Sequence, residues 1–323
     1  MKNEILTVFL FQGQGGHYRG MGSALYESNS FFKQRLQTYD SIIADYIHHS
    51  IIEEIYHNKR VPFDDLIITN PAIVALQLAL MDTLHNEKIF PSAVLGSSLG
   101  EFVAAVAANM WKPEDAIIAS IEMARSIVSE VETGGMISIF NSSTVETREL
   151  SDRFQVYPAM TGFKNNITVS GSQEKLILLE EHLKKSGSLY QRLPVQYPFH
   201  SPLIATAAER FTYFCPAAFT QSHAVQFISG LNNVELKCIS EDYLWAVISQ
   251  YSDYSKSIEY IEKMGSCLYI DVGPSGSMAT YAKYNLSPSS GSVTHQIMTP
   301  FKKEIEQLKK LRLLMNKHQP YTV

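Results

Sequence analysis

The most constraining feature of the sequence is a short apolar strand, Ala93–Leu95, that runs through Gly96-Ser97-Ser98-Leu99-Gly100 into an alanine-rich helical stretch, Glu101–Ala108. G-x-S-x-G between a strand and a helix is the pattern of a nucleophile elbow. The turn forces its central residue into a strained backbone conformation, and side chains at the flanking glycines would clash. Ser98 would project from the turn beside the N–H-rich start of the helix, where the Leu99 N–H is placed to receive an oxyanion. The same residues also fit a Ser/Gly turn that merely closes a strand. Either way, a strand whose C-terminal end feeds a helix is the building unit of a parallel α/β sheet.

The rest of the chain keeps that rhythm, with one interruption. Strand Ile5–Phe11 ends in the glycine-rich loop Gln12-Gly13-Gln14-Gly15-Gly16, and an amphipathic helix follows near Phe31–Ile43. A second helix is expected over Ala72–His85, with Asn70 as N-cap and Pro71 at the first helical position, where a missing N–H costs nothing. The middle reads strand Met136–Phe140, helix Thr144–Phe154, strand Gln155–Met160, strand Asn166–Ser170, helix Ser172–Lys185 and strand Ser188–Val195. That is the β-α-β-β-α-β order of a ferredoxin-like unit. Strand Cys267–Val272, the turn Gly273-Pro274-Ser275-Gly276 and a Lys-rich final helix, Phe301–His318, return to α/β. The expected fold is therefore α/β: a large α/β-hydrolase-like subdomain with a parallel sheet (residues 1–132 and 196–323), carrying a small inserted ferredoxin-like subdomain (133–195).

Composition narrows the function classes. Of the 323 residues, 45% are hydrophobic and 18% charged, which suits a well-packed globular chain and excludes disorder. Lys plus Arg number 27 against 32 Asp plus Glu, and no basic block precedes the final helix, so nucleic acid is not an expected partner. No apolar run reaches the roughly 18 residues of a membrane span, and Ile5–Phe11 is too short for a signal peptide core, so no membrane partner is expected. Cys215, Cys238 and Cys267 form neither a metal pattern nor a disulfide framework, consistent with a reducing cytoplasm.

A nucleophilic serine needs a base. Among ten histidines, His200 stands apart, held between Pro198 and Pro202 directly before a helix, Leu203–Phe211. A stiff loop at a helix start suits presentation of an imidazole, and equally suits a structural histidine. The loop Gln12–Gly16 lacks both the Lys-Ser/Thr ending of a P-loop and the spacing of a dinucleotide site. It is either a glycine turn approaching another loop or the source of a second oxyanion donor, the Gln14 N–H, since nucleophile elbows draw that donor from a different strand's loop.

Three separated segments carry a resemblance. Phe9-Leu10-Phe11-Gln12-Gly13-Gln14-Gly15 with Gly20-Met21-Gly22 resembles the opening F-x-F-x-G-Q-G…G-M-G of the malonyl-CoA:acyl carrier protein transacylase (acyltransferase) family, which includes the acyltransferase domains of fatty-acid and polyketide synthases. Gly96-Ser97-Ser98-Leu99-Gly100-Glu101-Phe102 is similar to its G-H-S-L-G-E-[YF] elbow, and Phe199-His200-Ser201 to its base motif. Fainter matches are Asn70-Pro71-Ala72, Val169-Ser170-Gly171 and Asp271-Val272-Gly273-Pro274, all in the family's order. The resemblance implies ping-pong chemistry on thioesters. His200 would take the proton of Ser98, and the backbone N–H groups of Gln14 and Leu99 would hold the oxyanion. The family orients this histidine through a backbone carbonyl, which alignment places near Gln250–Asp253.

The sequence also departs from that pattern. Malonyl-selective members pair the substrate carboxylate with an arginine on the helix after the elbow; a gap-free count from Ser98 puts Met123 there. Arg125 is two residues on, about 200° around a helix, and should face elsewhere. Ser97 replaces the usual histidine and enlarges the expected substrate pocket of Ser97, Met123 and Phe199. A buried malonyl carboxylate without its arginine is an unpaired charge costing about 3–5 kcal/mol. Family members lacking the arginine include free-standing acyl hydrolases of trans-acyltransferase polyketide pathways. The expected function is thus hydrolysis of short neutral acyl groups from an acyl carrier protein through an acyl-serine. The alternative is a trans-acting acyltransferase that loads malonyl or another acyl unit from coenzyme A, a reading Phe199 favours. A non-catalytic carrier-binding homologue is the third reading, opposed by the joint presence of Gln14, Ser98 and His200. The expected partners are an acyl carrier protein and an acyl-CoA or acyl-phosphopantetheine thioester. No metal or bound cofactor is expected, coenzyme A and phosphopantetheine entering only as substrate.

Overall fold

The structure, a computed structural model, describes residues 5–58, 62–216, 219–221, 224–240 and 242–318. The extreme ends of the expected large subdomain, 1–4 and 319–323, lie outside the described residues. In chain order the strands are β1 (Leu6–Phe11), β2 (Ala93–Gly96), β3 (Gly134–Phe140), β4 (Tyr157–Phe163), β5 (Asn166–Ser172), β6 (Tyr190–Arg192), β7 (Gln226–Ile228), β8 (Glu235–Leu236), β9 (Ser252–Asp253), β10 (Cys267–Asp271) and β11 (Val293–Gln296). They form two sheets, ordered β11-β10-β1-β2-β7-β8 and β6-β3-β5-β4-β9.

The first sheet is parallel except for β8, which pairs antiparallel with β7. Its central strand β1 is buried on both faces, as parallel strands between helices must be. Phe9 and Phe11 enter the main core, while Val8 and Leu10 enter a second core with Tyr269 and Ile258. Register pairs Phe11 with Gly96 and Leu10 with Asp271, so the loops after β1, β2 and β10 leave the sheet side by side. In parallel α/β sheets that C-terminal edge is where ligands bind.

The second sheet is antiparallel through β6-β3-β5-β4, the arrangement demanded by the β-α-β-β-α-β reading. Ile137, Ile139, Ile167 and Val169 alternate onto one face and pack against Leu176, Leu179 and Leu183 of the helix Gln173–Ser186. The sequence expectation extended the last strand to Val195, but Pro194 lies two residues beyond Arg192 and cannot donate to a ladder. One strand comes from outside the insert: β9 joins parallel to β4 through Met160 and Ser252, tying the small sheet to the large body.

The second helix departs from expectation. It spans Leu66–Asn86, capped by the Asp65 carboxylate accepting the Ile67 N–H at 3.0 Å, so Pro71 lies inside its second turn. Asn70 is no N-cap; it is buried and bonds elsewhere. The earlier start reflects the stronger cap at Asp65, with Pro71 leaving one carbonyl of the first turn without its donor. This helix is long and apolar enough to cross a bilayer by length and composition, yet it is mostly buried in the core. The final helix begins at Glu304 rather than Phe301, and the helix after His200 opens as a 3-10 turn, Pro202–Ala207, before Ala208–Phe214.

Candidate active site

The elbow is built by close approach. Ser98 has φ 52°, a left-handed conformation rare for a residue with a Cβ. A Cβ on Gly96 would lie 2.4 Å from the Glu101 backbone N, and one on Gly100 would lie 2.2 Å from the Phe11 carbonyl oxygen. No side chain fits either position. The Gly100 and Glu101 N–H groups turn back to the carbonyls of Ser97 and Ser98 at 2.9 and 2.8 Å, closing the first turn of the helix Gly100–Ala107.

His200 reaches this serine across more than a hundred residues of chain. Its Nε2 is 3.0 Å from Ser98 Oγ and its Nδ1 is 2.7 Å from the Gln250 carbonyl oxygen. A carbonyl only accepts, so Nδ1 carries the hydrogen and Nε2 is left with its lone pair toward the serine hydroxyl. His200 also has a left-handed φ of 58°, and its own N–H donates to the Ile248 carbonyl at 2.9 Å. Ser170 on β5 donates its hydroxyl to the Phe199 carbonyl, so the small sheet helps hold the histidine loop. Burial pushes the imidazole pKa below its usual value, opposed in part by the Gln250 carbonyl.

The loop after β1 is pinned from the helix Leu66–Asn86. Gln77 accepts the Gln12 N–H at 2.7 Å and donates to the Gln12 carbonyl at 3.0 Å. The Gln14 side chain donates to Asn70, which in turn donates to the Ser120 carbonyl at 3.3 Å. That tertiary duty is what removes Asn70 from capping. A Cβ on Gly13 would lie 3.1 Å from Ser98 Cβ and 3.4 Å from the Leu99 nitrogen, so the glycine loop rests directly on the elbow. The Gly13 turn after β1 and the Leu99 turn after β2 thus meet at Ser98.

These loops and the small sheet enclose a cavity of about 400 Å³. Every residue singled out from sequence lines it: Gln14, Ser97, Ser98, Leu99, Met123, Phe199 and His200. Met136, Met160 and Met278 add to the apolar wall, and no Lys, Arg, Asp or Glu is among the described lining residues. Met123 is 1% exposed. Arg125 points away, bonded to Glu122 at 2.8 Å and lying over the Tyr46 ring at 4.9 Å.

Sequence reasoning missed several contributors. Gln77 had a signal, a lone glutamine in the apolar run Ala75-Leu76-Gln77-Leu78-Ala79. Glu101, the residue after the elbow's last glycine, is fully buried; it accepts the Leu231 N–H at 3.1 Å and the Tyr243 hydroxyl, and burial pushes its pKa up to about 8. His17 also lines the cavity. Nothing in its local sequence distinguishes it.

A serine hydroxyl on a strained elbow with an imidazole lone pair aimed at it has the geometry that a nucleophile and its base require. Residues 8–318 match the family described as the acyl transferase domain, and the chain belongs to that family. It is 32% identical to the polyketide biosynthesis acyltransferase homolog PksD of Bacillus subtilis, over 98% of both chains. Identity to the homolog BaeD of Bacillus velezensis is 29%, over 94% of this chain and 95% of the other. The fold matches a loading acyltransferase from the avermectin modular polyketide synthase with a TM-score of 0.86 at 21% identity, covering 95% of this chain and 99% of that one.

Proposed function

We propose that this acyltransferase-family protein serves polyketide biosynthesis in the cytoplasm as a hydrolase of short neutral acyl groups held on an acyl carrier protein. Ser98 and His200 are its catalytic pair. As Ser98 Oγ attacks the thioester carbonyl, His200 Nε2 takes the hydroxyl proton, and the carbonyl oxygen gains its charge between the Gln14 and Leu99 N–H groups. Collapse breaks the C–S bond, and the imidazolium returns its proton to the phosphopantetheine sulfur. Water then enters, gives a proton to His200 and attacks the acyl-Ser98 ester; collapse releases the free acid and restores the serine hydroxyl. Gln250 holds the imidazole in the tautomer that both steps need, and the developing imidazolium keeps that carbonyl as partner.

The observation that carries the choice of cargo is Met123 in the cavity wall with no Lys or Arg among the described lining residues. A carboxylate entering this space would lose its hydration and find no counter-charge. Methionine walls adapt to neutral chains of varied shape. Likeness to the two acyltransferase homologs of polyketide biosynthesis supports the pathway assignment. The second reading, loading of malonyl or another acyl unit from coenzyme A, rests on Phe199, which borders the cavity beside His200.

The test is to offer acetyl-loaded carrier protein to the enzyme together with an empty second carrier of different mass. Hydrolysis predicts free acetate and two empty carriers; acetyl appearing on the second carrier overturns it.

A further inference from the structure

We propose that Gln77 is a positioning residue for the acylation of Ser98: by gripping the backbone of Gln12 it seats the loop after β1 against the elbow. The inference rests on the reading of Ser98 as the nucleophile and of that loop as the source of the second oxyanion donor, and it adds the residue that keeps the loop in place.

Gln77 lies midway along the helix Leu66–Asn86 and is fully buried, with Ile73, Leu76, Leu78 and Leu80 buried around it. An amide among aliphatic side chains costs stability unless its polar atoms are paired. Both ends of this amide go to one residue. Its Oε1 accepts the Gln12 N–H at 2.7 Å and its Nε2 donates to the Gln12 carbonyl at 3.0 Å. A second Nε2 bond goes to the Ile73 carbonyl at 3.3 Å, within the helix. Gln12 directly follows β1, and the register of β1 with β2 ends at Phe11 and Gly96. One side chain thus supplies the donor and the acceptor that a neighbouring strand no longer offers.

The next residue is Gly13, where the loop has no slack. A Cβ there would lie 2.6 Å from the Ser97 carbonyl oxygen and 3.1 Å from Ser98 Cβ. The loop therefore cannot advance on the elbow; it can only lift from it, and the two bonds from Gln77 oppose that motion. The Gln14 side chain has its own anchor at Asn70. That bond holds a side chain, whereas Gln77 holds the main chain from which an oxyanion donor comes. Ser275, on the loop after β10, adds a further grip, its hydroxyl donating to Gln12 Oε1 at 2.8 Å. Such a donor acts through its placement, and a displacement of about 1 Å costs up to about a hundredfold in rate. Charge on the thioester oxygen develops only in the transition state, so the loss falls on the rate of acylation and not on carrier binding.

The experiment is single-turnover kinetics with enzyme in excess over acetyl-loaded carrier protein, the loss of acetyl being followed by intact mass over a range of enzyme concentrations. Gln77→Met keeps the length of the side chain and removes every hydrogen bond of the amide. Its saturating rate is expected to fall about tenfold to a hundredfold, while the half-saturating enzyme concentration stays that of the wild type. A merely structural role reads differently: loss of folded protein raises the half-saturating concentration and leaves the saturating rate unchanged. That pattern, or a saturating rate within about twofold of the wild type, overturns the assignment. Should Gln77→Met not fold, Ser275→Ala frees the Gln12 side chain alone and decides by the same reading. A saturating rate about threefold lower supports the assignment, and an unchanged one overturns it. The saturating rate counts acylation whether the acyl group ends on water or on an acceptor. A slowed Gln77→Met with transfer to an acceptor therefore overturns the hydrolase reading and keeps this one, and hydrolysis with an unslowed Gln77→Met does the reverse.

Discussion

Met123→Arg should convert the cavity toward carboxylated substrates. Met123 is 1% exposed, borders the nucleophile's cavity and has no charged neighbour among the described lining residues. In the wild type a malonyl carboxylate bound there would meet no Lys or Arg among the described lining residues. A guanidinium at this position supplies charge-assisted, bidentate hydrogen bonds worth about 1.5–3 kcal/mol, or about tenfold to a hundredfold in relative kcat/KM. The cavity of about 400 Å³ leaves room for the longer side chain. The same arginine, unpaired in the free enzyme, should lower the thermal midpoint and slow acetyl turnover. The assay is competition between acetyl- and malonyl-loaded carrier protein, read by intact mass for wild type and variant. A folded Met123→Arg protein whose acetyl-to-malonyl ratio equals that of the wild type would refute the reasoning, since the position would then not face the acyl group.

Other consequences are accessible to simple assays. Ser98→Ala should leave no acyl-enzyme adduct in an intact mass spectrum, and His200→Ala should slow adduct formation by at least about a hundredfold; persistence of the adduct in Ser98→Ala would move the nucleophile elsewhere. Because burial depresses the His200 pKa, its neutral, proton-accepting form persists below the ordinary value of 6.5. The acylation rate should therefore fall on acidification with a midpoint below 6.5, and a midpoint above 6.5 contradicts the assignment. Glu101→Ala strips partners from the Leu231 N–H and the Tyr243 hydroxyl. It should cost about 2–3 kcal/mol in denaturant unfolding at neutral pH, and a change within error would contradict a structural role for this carboxyl group.

Sequence gave access to the elbow, the base and the insert because each is written locally. Gly96 and Gly100 are required by contacts under 3 Å, and the alternating Ile137, Ile139, Ile167 and Val169 announce one buried sheet face. That Arg125 turns away from the cavity is readable because two residues along a regular helix are about 200° apart. The start of the helix Leu66–Asn86 was not, because Asn70-Pro71 imitates an N-terminal signal while Asn70 is committed to Gln14 and Ser120. Gln250 contributes only a carbonyl, which every residue owns, so its side chain carries no trace of the role.

The central claim is that Ser98 handles neutral acyl groups and releases them to water. Its most direct test loads one carrier protein in parallel with acetyl and malonyl, adds the wild-type enzyme and follows both by intact mass spectrometry. Loss of acetyl as free acid while malonyl persists is the predicted result. Preferential consumption of malonyl, or its ready movement from coenzyme A onto the empty carrier, would contradict the account.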